Sequence, residues 1–328
     1  MSRITDEELD RLLSAASPAR TPLDAKPDAE AIEMLERIMA TDPHPHRTRN
    51  RVIGAVSGVA AAIAAVVVGA SVLVPNVKAE AETPQPLAFS GEATVAGTLD
   101  AAQDALASAP GPDAAVRYVR SASWSYNVDV GKKESFVVPQ LITLQWEADG
   151  SGRVVIVDGE AYDPADAAAN AHAEVSSSGH VASDMVMKPG DFGTPVTELA
   201  GASEDELTAA LTAFGVPAHA TAYETVGGIT TILDQWTLTN AQESTLLEIL
   251  SRTDGATALG ASTDRLGREV YGLRVLTPGG EGSETVLISQ ATGRIVGIET
   301  TNIIENEIYP AGAVIAYRLF DIGDGLVQ

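Results

Sequence analysis

The apolar positions of this chain change period along its length, and each change marks a boundary. One stretch has no period at all. Val52 to Val74, VIGAVSGVAAAIAAVVVGASVLV, runs 23 residues without a charge, and Ser57 and Ser71 are its only polar side chains. As a helix rising ~1.5 Å per residue it reaches ~35 Å, enough to cross a hydrocarbon layer of ~30 Å with some tilt. A helix on the surface of a globular domain keeps a polar stripe, and this one keeps none. The 51 residues before it are too many for a signal peptide, so the reading is an uncleaved membrane span.

Two short stretches before the span carry a helical period. In ITDEELDRLLSAASPAR, Thr5 and Glu8 have capping-box spacing, and Leu9, Leu12 and Leu13 form one stripe that Pro18 ends. From about Asp28 to Ala40, Ile32, Leu35, Ile38 and Met39 share a face, with Glu30, Glu33 and Arg37 opposite. Helices this short are marginal alone in water. Leu9, Leu12, Leu13, Ile32, Leu35 and Ile38 are therefore the expected docking positions for a partner; the alternative is a plain tether. Within the span, Gly54 and Gly58 are four apart and Ala62 follows one turn on, the spacing that lets two membrane helices approach as a homodimer.

Beyond the span, residues 75–97 are polar and bear prolines, and read as a spacer. Asp100 to Ser108 is a short helix with Leu99, Ala102 and Leu106 inward. From Val116 the period drops to two, so Val116–Val130, Gln140–Glu147 and Gly152–Val157 read as three consecutive antiparallel strands. Residues 158–201 show no period and read as a long loop with one short helix around Pro164 to Ala173. Ser203 and Glu206 make a capping box for a helix with Leu207, Ala210, Leu211 and Phe214 inward. Thr230–Trp236 is β-prone. Asn240 and Glu243 repeat the capping spacing ahead of Leu246, Leu247, Ile249 and Leu250. The tail, GREVYGLRVLTP, SETVLISQATGRIVGIETTNI and AVIAYRLFDI, is β-rich, with Ala291–Arg294 as a tight turn. Strands, then helices, then strands predict an α+β fold with a mostly antiparallel sheet.

Charge sets the expected topology. Arg47, Arg49 and Arg51 precede the span and Lys78 follows it, which places the N-terminus in the cytoplasm. The domains expected are a cytoplasmic arm (1–51), a transmembrane helix (52–74), a juxtamembrane spacer (75–97) and an extracytoplasmic domain (98–328). Of 21 Lys+Arg and 45 Asp+Glu in the chain, 8 and 10 precede the span, which leaves 13 and 35 after it. A domain so acidic repels nucleic acid and anionic lipid at long range.

Candidate chemistry is sparse. The chain has no cysteine, which excludes thiol catalysis and thiolate metal sites. His172, Glu174 and His180 lie close in sequence, but two histidines in an Ala/Ser-rich loop fall short of a converging ligand set. Ser176-Ser177-Ser178-Gly179-His180 has no nucleophile-elbow pattern around it. No catalytic residue, cofactor site or metal site is expected. Trp124, Trp146 and Trp236 read as core packing, or else as the lining of an apolar groove.

LLEILSRTDGATALGASTDRLGREVYGLRVL (246–276) and ETVLISQATGRIVGIETTNI (284–303) resemble the C-terminal half of a family of actinobacterial single-pass membrane-anchored proteins of uncharacterised function. DEELDRLL (6–13) resembles that family's opening helix. Its outer domains look like the superfamily of lipoprotein carriers and sigma-regulator sensors, a curved antiparallel sheet covered by helices. The resemblance implies an anti-sigma-like or envelope-sensing role, with a cytoplasmic sigma factor or other regulator as partner. Zinc-binding anti-sigma domains carry His-x-x-x-Cys-x-x-Cys, which this chain lacks, so any such contact falls to the two arm helices. The expected function is a non-enzymatic envelope protein that binds a ligand or partner outside and couples to a regulator inside. The alternative is a carrier of a lipid or other hydrophobic ligand, with the arm as a simple anchor.

Overall fold

The computed structural model describes residues 83–126, 137–171, 174–306 and 309–323. Nine strands form one sheet: β1 (Tyr118–Ser125), β2 (Gln140–Trp146), β3 (Gly152–Gly159), β4 (Ser177–Met187), β5 (Ala256–Thr263), β6 (Glu269–Leu276), β7 (Gly282–Ser289), β8 (Ile295–Asn302) and β9 (Val314–Phe320). Their order is β4-β3-β2-β1-β9-β8-β7-β6-β5, with every pairing antiparallel. Two meanders, β1 to β4 and β5 to β9, are thus joined where β1 meets β9. Among the described residues the helices are α1 (Val95–Ser108), α2 (Ala167–Ala171), α3 (Glu204–Ala213), α4 (Ala222–Leu233) and α5 (Asn240–Ser251). The α+β architecture and the antiparallel sheet follow the alternation read from the sequence.

Alternation sorts each strand onto two faces. Leu144 and Trp146 of β2, Leu273 and Val275 of β6, and Val286 and Ile288 of β7 meet α1, α3, α4 and α5 in one core, the helix face. Leu207, Ile232, Leu246 and Leu247 are fully buried there. Each such side chain contributes roughly 1.5–3 kcal/mol of burial. On the reverse face, Ala122, Leu141, Val157, Val270, Leu287, Tyr317 and Leu319 form a second core.

Local chemistry explains the helix starts. Ser203, Thr221 and Thr239 each accept from the backbone N–H three residues on, and Glu206, Glu224 and Gln242 return the bond, giving three capping boxes. The turn at Ala291–Arg294 is as predicted. Its Gly293 has φ +73, and a Cβ there would collide with the carbonyl of Ala102, so α1 rests directly on the turn.

Four stretches differ from the sequence reading. Thr230–Trp236 is not a strand: Thr230 to Leu233 close α4, with Ile229 and Ile232 buried and the Thr230 hydroxyl bonded back to the Val226 carbonyl. Burial and the Thr221 cap override the β propensity of its branched residues. The cap of α5 is Thr239 with Gln242, one residue before the expected pair. Asn240 is thereby free to donate to the carbonyls of Leu106 and Ala109 and cap the end of α1, while Glu243 turns inward. The expected loop at 158–201 contains β4, an 11-residue edge strand exposed on both faces from Ser178 to Ala182, with alternation confined to its end, where Met185 and Met187 turn toward the helix-face core. β5 precedes the expected start of the C-terminal strands and occupies the other edge of the sheet.

The second half of the expected spacer is part of the domain. Ser90 pairs with Ala261 of β5, Leu87 and Phe89 pack on the reverse-face core, and α1 begins at Val95 behind its Thr94 cap. Among the described residues no helix is long and apolar enough to cross a membrane. The stretch Val52–Val74, the arginines 47, 49 and 51, the Gly54/Gly58/Ala62 face and the arm positions Leu9, Leu12, Leu13, Ile32, Leu35 and Ile38 lie outside the described residues.

Candidate functional site

The least ordinary chemistry lies where residues 83–91 cross the reverse face. The strap does not run as a strand there; side chains hold it. Asn170 accepts from the Gln85 N–H and donates to the Thr83 carbonyl, each at 3.0 Å. Arg265 donates to the Gln85 carbonyl at 2.8 Å and to Glu299 at 2.5 Å. The other oxygen of Glu299 accepts from the Leu87 N–H at 3.3 Å. Ser262 donates to the Ala88 carbonyl at 2.8 Å, and Ser90 and Ala261 exchange both backbone bonds. The Phe89 ring lies over Gly272, where a Cβ would collide with it, so only glycine leaves room for the ring.

This seat is an ion pair in an apolar surround. The side chains of Arg265 and Glu299 are 4% and 5% exposed. The guanidinium stands 4.8 Å from the centre of the Tyr317 ring, which also stacks on Trp124. The hydroxyls of Tyr162 and Tyr317 are buried here without a protein hydrogen-bond partner. Burial pushes the Tyr162 phenol up to about 12, with Arg265 pulling against it and Glu299 adding to it. Burial raises Tyr317 as well. Both stay protonated at ordinary pH.

The helix face holds charge at two places. Glu243, fully buried at the start of α5, accepts from the Ile295 N–H at 2.7 Å. Its other oxygen lies 2.6 Å from Arg294 Nη2 but off the line of any N–H, so that contact is ionic rather than a hydrogen bond. Arg294 also pairs with Asp321 at 2.7 Å and donates to the carbonyl of Leu238. Burial raises the Glu243 carboxyl above the usual range, and Arg294 pulls against it. The second place lies at the end of α4, where Asp234 pairs with Arg318 of β9 at 2.6 Å. Burial holds Asp234 up at about 6 and Glu284 of β7 at about 7, in each case against the pull of Arg318.

The histidines noted in the sequence do not converge. His172 lies outside the described residues, and His180 on β4 is exposed with Nδ1 2.8 Å from Asp158. Ser178 donates to the Asp158 carbonyl. Among the described residues no group of three or more His, Cys, Asp or Glu could hold a metal ion. Trp146 and Trp236 meet edge to face at 5.1 Å, with Arg117 over both rings. All three tryptophans are core. A shallow, open groove of about 680 Å³ lies beside the Gly91 turn, lined by small and polar residues with Tyr271 its one aromatic.

The seat was not read from the sequence. Its signal is present, though: Glu299 directly follows the apolar run IVGI within the same β-rich stretch, and Arg318 interrupts AVIAYRLF. A charge on an inward position implies a partner, but the partner of Glu299 is 34 residues away and nothing local names it. No protein-family model, curated protein or solved structure matches this chain.

Proposed function

We propose that this is a non-enzymatic, single-pass membrane-anchored envelope protein. Its sheet domain, outside the membrane, binds a ligand or partner, and its arm couples in anti-sigma-like fashion to a cytoplasmic regulator. In this reading Val52–Val74 crosses the bilayer, and Arg47, Arg49 and Arg51 hold the arm inside. The observation that carries the reading is the strap. Residues 83–94 pack on the sheet, so only about eight residues separate the end of the apolar stretch from a segment bonded to the domain. A change in the sheet then has a short covalent path to the span. The carrier alternative leaned on tryptophans lining a concavity. Trp146 and Trp236 pack against each other on the helix face and Trp124 stacks on Tyr317 on the reverse face, so the tryptophans do not supply such a lining.

The cysteine-free chain makes the test direct. Single Ala16→Cys and Asp205→Cys variants are exposed to an impermeant maleimide in intact cells. Labelling at 205 but not at 16 supports the topology; labelling at both, or at 16 alone, overturns it. Full-length chain is then used to capture partners from lysate of the native host. Recovery of a sigma factor that is lost with Leu9→Asp plus Leu35→Asp supports the coupling; recovery unchanged by those substitutions refutes the arm's part in it.

A further inference from the structure

We propose that residues 83–91 are a detachable strap: a two-state element that leaves the reverse face without unfolding the sheet, and so sets the reach of the domain from the chain that precedes it. The inference rests on the anchored reading for its consequence, but not for its test.

Three observations carry it. First, the strap is held at points rather than by a ladder. Apart from the Ser90–Ala261 bridge, its backbone bonds go to side chains, those of Asn170, Arg265, Glu299 and Ser262. Segments bonded in this way, with most of their residues exposed, belong to the low-stability end of a structure. Of this segment Pro84 is buried, Leu87 and Phe89 are half-buried, and the residues from Gln85 to Gly91 between and after them are exposed.

Second, the strap closes over charge. With the strap seated, the arginine and carboxylate beneath it are 4% and 5% exposed. A buried ion pair returns little beyond its desolvation cost, and opening the strap gives both groups back to solvent. The apolar gain from Leu87 and Phe89 and the strap's hydrogen bonds are set against that return, which narrows the free-energy gap between the seated and open states. β8, which carries Glu299, is paired on both sides by strands, β7 and β9, and not by the strap.

Third, the geometry gives opening a consequence. Nine residues released from the face extend to roughly 30 Å at full stretch. Seated, the strap draws residue 83 onto Asn170 at the sheet. Open, it lets the domain stand off by most of that length. A ligand or partner that binds the vacated seat, with its guanidinium–carboxylate pair and apolar flanks, stabilises the open state by as much as it prefers that state.

The test is amide hydrogen exchange on the full chain, read by mass spectrometry, with Phe89→Ala as the variant. Strap opening independent of the sheet predicts that amides of residues 85–91 exchange at least 100-fold faster than those of β7 and β8. It also predicts that Phe89→Ala speeds the strap about tenfold while leaving β7 and β8 unchanged. A Ser90→Cys, Ala261→Cys pair, placed on facing residues, closes the strap by a disulfide when oxidised. Oxidation should slow strap exchange, and reduction should restore it. If the strap and the sheet exchange at one rate, or if Phe89→Ala speeds both equally, the strap opens only with global unfolding and the proposal is overturned. That result leaves the topology tested by maleimide labelling untouched, so the two failures are distinguishable.

Discussion

The helix face and the reverse face of the sheet are both closed over apolar residues and both bury an arginine with a glutamate, yet by different means. On the helix face, α3, α4 and α5 lie in sequence between the two meanders, each opened by its own capping box, and α1 is added across the Gly293 turn. Glu243 and Arg294 sit among these elements; Glu243 bonds to the backbone of β8 at Ile295 and Arg294 to the Leu238 carbonyl in the link between α4 and α5. On the reverse face the cover over Arg265 and Glu299 is a nine-residue segment held by side chains. The same chemical pair therefore serves opposite ends. Enclosed by regular elements, it locks helices to the sheet. Enclosed by a strap, it limits, on the proposal above, how tightly the strap can close. The nature of the cover decides what a buried charge does, because the desolvation cost is similar and only the opening cost differs.

The sharpest way to break this comparison is to orphan the charge on the helix face. Arg294→Leu leaves Glu243 buried without its cation and should cost about 3–5 kcal/mol in urea unfolding. Adding Glu243→Leu should recover most of that loss, because a well-packed apolar pair substitutes for a buried ion pair. A cost below about 1 kcal/mol for the single substitution would mean that the helix face tolerates opening as readily as the strap does.

Acidity separates the faces next. Asp234 and Glu284 are both raised in the folded protein, to about 6 and about 7, and both belong to the helix face. A carboxyl raised on folding contributes stability in its protonated form. That contribution is complete below about pH 4 and is lost as pH rises through about 6 for Asp234 and about 7 for Glu284. Unfolding free energy should therefore fall between about pH 4 and 7 by on the order of 2–3 kcal/mol per group, and Glu243, also raised by burial, adds to the fall. Glu284→Gln should flatten the upper part of that profile. A stability that rises over the same interval would contradict the assignment.

Smaller effects sharpen the picture. Ser203→Ala removes the cap of α3 and should cost about 1 kcal/mol in thermal unfolding, with Ser203→Gly costing less. Arg252→Ala removes the exposed pairs with Glu204 and Glu248 and should change stability by no more than about 0.5 kcal/mol. A larger loss there would show that the helix ends, and not the buried pairs, hold this face.

Much of the fold was legible because its signals are local. The alternation through β1, β2 and β3, the Ser203/Glu206 box and the Ala291–Arg294 turn all lie within a few residues of the structure they specify. The misreadings have opposite causes. The first half of β4 has little to bury, so alternation appears only at the end of the strand, and α4 is a helix rich in β-branched residues whose burial outweighs propensity. The candidate site was hardly legible at all. Arg265 reaches Glu299 across 34 residues and Gln85 across 180, distances at which no spacing rule operates.

The sequence by itself determined most of the elements (not β4, α4 or β5), the α+β class, the apolar stretch at Val52–Val74 and the acidic balance of the residues beyond it. These depend on period, capping and composition, which act over one or two turns of chain. Only the tertiary structure decided that 83–94 belongs to the domain, that Glu243 faces inward while Asn240 caps a different helix, and which arginine meets which glutamate. Those outcomes depend on which groups share a desolvated volume once the sheet has closed, and that is a property of three-dimensional packing rather than of any stretch of sequence.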